Sequence, residues 1–139
     1  MASSIFLDAN VLLDFTLKRV NYHPSKSLME LIISGKLNAF VSPSIIQILG
    51  YWLTKAYTIE MSNEILLTLL NDVKVIDINH EQVVMALHSK IDDAEDAIQY
   101  YTALHHKVDF FISGDKKLKR LAMPHLPVYS VESLLKMLR

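Results

Sequence analysis

Two short apolar runs, Ile5-Phe6-Leu7 and residues 108–112, each lead into a carboxylate: Asp8 follows the first directly, and Asp115 follows the second after Ser113-Gly114. Runs this short do not make helices and read as strands buried on both faces. Upstream of the second run, Ala94, Ala97, Ile98, Tyr101 and Leu104 keep helical spacing, and that helix opens on Asp93 and Asp96. Doubly buried strands alternating with amphipathic helices call for a parallel sheet covered on both sides. In such sheets ligands bind beyond the carboxyl ends of the strands. Asp8 and Asp115 fall there, and the start of the Asp93/Asp96 helix can meet them.

The rest of the chain fits the same alternation. Residues 24–34 read as a helix stopped by Gly35, 38–41 as a second strand, and Ser42-Pro43-Ser44 as the start of a helix through Ile45, Ile46, Leu49, Trp52 and Leu53. A helix over 62–71 and a strand over 73–78 follow, then Asn79-His80-Glu81-Gln82, the pattern of a capping box. Residues 127–129 make a fifth strand, and Ser130 caps a final helix ending at Arg139. Asn10 is expected to cap the helix beginning near Val11, leaving Asp8 free to point out of the sheet edge.

Asp93-x-x-Asp96 taken alone is equally an N-capping arrangement, since acids in a first turn offset the helix macrodipole. Asp8 and Asp115, arriving from distant parts of the chain, favour a site. Crowded carboxylates repel, so such a cluster holds a hard cation or shifts its pKa values upward.

The segments Ile5-Phe-Leu-Asp8-Ala-Asn10-Val-Leu-Leu-Asp14, Asp93-Ala-Glu-Asp96-Ala-Ile-Gln-Tyr-Tyr-Thr-Ala-Leu and Asp109-Phe-Phe-Ile-Ser113-Gly-Asp115, in this order over nearly the whole chain, resemble a PIN domain. The resemblance implies a three-layer α/β/α sandwich around a mainly parallel sheet and a Mg²⁺- or Mn²⁺-dependent ribonuclease, often the toxin of a toxin–antitoxin pair. It implies that Asp8, Asp96 and Asp115 hold the metal. Asp93, or Asp109 if its side chain turns toward the site, would contribute through water or orient a ligand, with Asn10 and Ser113 in support. One departure stands out: the helix after Ser42 usually carries a glutamate where this chain has Gln47. An amide oxygen brings no charge, so cation affinity should fall.

At 139 residues the chain fits one domain, 1–139, able to bury about two-thirds of its unfolded surface. With 51% hydrophobic and 21% charged residues it suits a folded protein, and no apolar run approaches the roughly 18 residues of a membrane span. The N-terminus shows neither a basic leader nor a cleavable apolar segment, so a cytoplasmic location is expected. A net charge of −1 provides no basic field for nucleic acid. RNA contact would use a local patch, for which Lys116, Lys117, Lys119 and Arg120 are candidates beside the alternative of a solvated helix face. Trp52, Tyr51 and Tyr57 are expected in the core or at a dimer contact, and the apolar helix over 43–55 suits a homodimer.

Two other readings compete. Gln47 fits a catalytically weakened PIN-like module that binds RNA or protein. A phosphoacceptor domain would also place Asp8 after a first strand, but such folds usually show a second Asp where this chain has Asn10.

Overall fold

The computed structural model describes residues 2–138, so the expected helix end at Arg139 lies outside the described residues. Five strands and eight helices follow one another as β1 (Ser3–Leu7), α1 (Ala9–Thr16), α2 (Tyr22–Ile33), β2 (Leu37–Val41), α3 (Pro43–Ala56), α4 (Ile59–Leu69), β3 (Val73–Val75), α5 (His80–Leu87), α6 (Ala94–His105), β4 (Phe110–Ile112), α7 (Lys116–Leu121), β5 (Val128–Tyr129) and α8 (Val131–Met137). The sheet order is β3-β2-β1-β4-β5 and every pairing is parallel. This is the three-layer α/β/α architecture expected from the sequence.

Ile5, Phe6 and Leu7 are all fully buried, as three successive residues can be only where both faces of a strand are covered. Phe6 stacks on Phe111 of the neighbouring strand at 5.2 Å, and Tyr100 of α6 lies 5.6 Å from Phe111. The Tyr100 hydroxyl donates to the Leu126 carbonyl and accepts from Met123 N–H, both at 2.7 Å. Burial of that ring pushes the phenol pKa up. Gly35, at φ 81°, closes α2: its N–H bonds Ile32 O while Lys36 N–H bonds Leu31 O.

Several boundaries differ from the sequence reading, each for a local reason. Thr58 caps α4 through Met61 N–H, so that helix begins before Ser62. The capping box at Asn79 and Gln82 forms as expected. Strand β4 starts at Phe110, because Val108 N–H is still bonded to Ala103 O at the helix exit. Helix α1 is capped by Asp8, not Asn10, and Asn10 lies inside its first turn. Among the described residues no helix is long and apolar enough to cross a membrane.

Candidate functional site

From β1 the chain steps outward to β2 and β3, then returns to the other side of β1 for β4 and β5. The direction of winding therefore reverses between β1 and β4, and their carboxyl ends splay into a crevice there. Asp8 follows β1 and Ser113-Gly114-Asp115 follows β4, so the topology brings residues more than a hundred positions apart to one place. Asp8 N–H closes the gap by bonding Ile112 O at 3.0 Å.

The Ser113 hydroxyl joins the two ends. Buried, it donates to Asp8 Oδ2 at 2.8 Å and accepts from Asp115 N–H at 3.1 Å. Asp8 Oδ1 accepts from Ala9 N–H at 2.8 Å, and Asp115 Oδ1 caps α7 through Lys117 and Leu118 N–H. Asp96 enters from the first turn of α6, whose cap is Asp93, with Oδ1 accepting from Asp96 N–H at 2.9 Å. Asp93 faces a small side pocket with Asp92, Asp96 and Asp115 rather than the main cleft.

That cleft has a volume of about 730 Å³. Among the described residues its walls carry the carboxylates of Asp8, Asp14, Glu95, Asp96, Asp115 and Glu132 and a single cation, Arg19. The charge imbalance shows in the acids. Partial burial, then the charges of Asp93, Asp8, Asp115 and Glu95, push the pKa of Asp96 up to about 6. Asp8 is raised chiefly by burial and also by Asp115, against the lowering effect of its bonds from Ser113 and Ala9. Glu95 is raised by desolvation and by Asp93 and Asp8. Oxygen donors crowded without compensating charge are the donor class of a hard divalent cation. Among the described residues, however, no three acids are already grouped closely enough to hold an ion.

A model of the PIN domain matches residues 4–117. This chain belongs to the PIN domain family. PIN domains are generally nucleases. No curated protein sequence matches the chain. Among solved structures the PIN fold recurs in VapBC2 from Rickettsia felis bound to a promoter DNA fragment, with TM-score 0.68 and 16% identity over 91% of this chain and 98% of that one. It recurs in PAE2754 from Pyrobaculum aerophilum, with TM-score 0.67 and 20% identity over 99% and 98%. A toxin–antitoxin complex from Klebsiella pneumoniae gives TM-score 0.66 and 19% identity over 92% and 99%.

The PIN scaffold redistributes several residues singled out from the sequence. Asp109 does not reach the cleft. It lies at the amino end of β4, where Oδ2 accepts from Ser4 N–H at 2.8 Å and Ser4 Oγ at 3.1 Å, on the opposite edge of the sheet. Asn10 does line the cleft, with its carbonyl and Oδ1 accepting from Arg19 Nη2 while Arg19 Nε pairs with Asp14 at 2.8 Å. Gln47 is exposed and faces an adjoining pocket beside Glu95, and α3 gives the cleft Ile48 and Trp52 instead. Trp52 and Tyr51 are not core residues, being 47% and 57% exposed. Lys116, Lys117, Lys119 and Arg120 are exposed on α7, and Lys117 is paired with Asp92 at 2.9 Å.

Arg19 and Glu95 had no assigned role in the sequence reading. Arg19 was detectable in principle: Asn10 and Asp14 stand one helical turn apart and together offer three oxygens to a guanidinium just past the helix end. Glu95 lies inside the Asp93–Asp96 segment, but only the folded position of α6 shows that it borders two pockets.

Proposed function

We propose that this PIN domain is a divalent-metal-dependent ribonuclease in which Asp8, Asp96 and Asp115 hold Mg²⁺ or Mn²⁺. The observation that carries the reading is the gathering of Asp8, Glu95, Asp96 and Asp115 at the crevice between β1 and β4, where partial burial and then the charges of Asp93, Asp8, Asp115 and Glu95 raise the pKa of Asp96 to about 6. When bound, the cation would lower the pKa of an attacking water and neutralise charge developing on the phosphate. The chain's own residues would do the rest. Ser113 fixes Asp8 against Asp115, and Asp93 fixes the start of α6 and so the backbone that carries Asp96. Arg19, oriented by Asn10 and Asp14, would contact the phosphate of the bound strand. Lys116, Lys119 and Arg120, beyond Asp115, would hold flanking phosphates.

The reading extends to a role as the toxin of a toxin–antitoxin pair, at work in the cytoplasm. Support comes from the fold shared with VapBC2 and the Klebsiella complex, and from an exposed apolar groove of about 540 Å³ lined by Phe15, Tyr22, Ile33, Tyr57, Met61 and Ile65. Such a groove suits the apolar face of a partner segment.

Cleavage of a panel of single-stranded RNAs by wild type and Asp96→Asn, across a range of Mg²⁺ and Mn²⁺ concentrations, tests the proposal. Metal-dependent cleavage that disappears in the variant supports it. Absence of metal-dependent cleavage across the panel would favour a PIN domain that binds without cutting.

A further inference from the structure

Next to the acid cleft lies a second pocket of about 590 Å³ whose chemistry is different. Ile48, Trp52 and Glu95 line both, so the two adjoin along these side chains. The second pocket adds Ser44, Gln47, Tyr51 and Gln99, and the carboxylate crowding of the cleft stops at Glu95. Trp52 is 47% exposed and meets Tyr51 edge to face at 5.2 Å, so much of the indole surface is free to receive a flat ligand. Lys55 sits 4.7 Å from the Tyr51 ring, which puts a positive charge beside the same wall.

One polar group here lacks a partner. Gln99, on α6, is 2% exposed, and its Oε1 accepts from the Ser42 hydroxyl at the start of α3. Its Nε2 is buried and has no hydrogen-bond partner among the described residues. A buried amide N–H without an acceptor is unfavourable, and a native structure normally supplies one. Gln99 borders this pocket, but its Nε2 is closed off from the open space, so the amide within reach of a ligand is that of Gln47. Exposed Gln47 adds a donor and an acceptor of the same kind.

We infer that this pocket is a base subsite, which receives an unpaired nucleobase of the strand whose phosphate occupies the acid cleft. The inference rests on the ribonuclease reading for its substrate class. Stacking on an indole and amide contacts to a base edge are the means by which proteins hold single-stranded RNA, and both require the base to be unpaired. Adjacency to the cleft accounts for the subsite's place: a nucleotide whose phosphate lies in the cleft can set its base against Trp52, which both pockets share.

Trp52 is the only tryptophan in the chain, so its fluorescence reports on the pocket directly. The experiment uses full-length Asp96→Asn protein with Mn²⁺, titrated with a short single-stranded RNA, the same strand carrying abasic sites, and its duplex. Saturable quenching by the single strand is expected, with affinity about tenfold weaker for the abasic strand and the duplex. Anisotropy of a labelled strand should show a similar loss for Trp52→Leu, a smaller one for Gln47→Leu, and near-normal binding for Trp52→Phe, with circular dichroism melts confirming that each variant folds. Equal affinity for the abasic and intact strands, or a folded Trp52→Leu variant that binds as wild type, would overturn the inference. So would a Trp52→Leu variant that turns a dimer into a monomer by light scattering with unchanged RNA affinity, which would mark the wall as a contact between copies of the chain. The two readings fail separately: base-dependent binding without cleavage by wild type removes the nuclease and keeps the subsite, while cleavage indifferent to base and to Trp52 does the reverse.

Discussion

Strands β1 and β4 lie side by side, and a carboxylate flanks the pair at each end: Asp109 at the amino edge, Asp8 at the carboxyl edge. Asp109 and Ser4 are tied by four hydrogen bonds: Asp109 Oδ2 accepts from Ser4 N–H and Oγ–H, and Asp109 N–H is shared between Ser4 Oγ and the Ser4 carbonyl, both at 3.0 Å. Asp8 also has two donors, from Ala9 and Ser113, yet its pKa is raised, chiefly by burial and also by the charge of Asp115 in the same crevice. The same residue type thus closes the fold at one edge and accumulates repulsion at the other. What separates them is the winding of the chain, which opens a crevice only where the strand order reverses.

The largest effect should come from exchanging acid for amide at each edge. Asp96→Asn is expected to cut metal-dependent RNA cleavage by about 100-fold or more, whereas Asp109→Asn should leave the rate per folded molecule within about twofold. Steady-state cleavage with matched protein preparations checks this. Equal losses in both would dissolve the contrast.

Stability should respond in the opposite sense. Asp109→Ala removes the Ser4 clasp and should cost about 1 kcal/mol, read from denaturant midpoints in EDTA. Asp96→Asn removes a repelled charge while Asp93 continues to cap α6, so the metal-free protein should be as stable as wild type or more so. Adding Mn²⁺ should raise the wild-type melting temperature by several degrees and that of Asp96→Asn by much less, as native-state binding requires.

A pH series sharpens the comparison further. Asp96 binds its proton more tightly in the native state than in the unfolded one, so the native state gains from protonation. Its contribution is fully present below about pH 4, declines as pH rises toward 6, and is gone above that. Metal-free wild type should therefore lose stability relative to Asp96→Asn between about pH 4 and 7, measured by urea midpoints of both proteins.

The smallest effect concerns Gln47. Because it is exposed and borders the pocket beside Glu95 rather than the cleft, Gln47→Glu should tighten Mn²⁺ binding by no more than about fivefold by calorimetry. A gain of a hundredfold would show that α3 reaches the metal directly.

Much of the fold was legible because period and punctuation are local properties. The doubly buried run Ile5-Phe6-Leu7, the Asn79–Gln82 capping box, the glycine stop at Gly35 and the acids opening α6 each declare an element without knowledge of its neighbours. The alternation of strands and helices likewise made a covered parallel sheet the natural outcome. The direction in which a side chain is used is a different kind of information. Asp8 and Asn10 are both competent caps, and the choice of Asp8 was made by Ser113 and Arg19, partners that arrive from β4 and from beyond α1. Asp109 and Asp115 flank the same strand, and the pairing of β4 with β1 clasps Asp109 to Ser4 at one edge while Ser113, which holds Asp115 N–H, reaches Asp8 at the other. Gln47 and Ile48 are adjacent on α3, and the packing of that helix decided that Ile48, not Gln47, lines the main cleft. Local sequence sets the period, caps and burial of each element, because those depend on neighbours within a turn. Which carboxylates share a charge environment depends on distances through space, and tertiary structure alone supplies them.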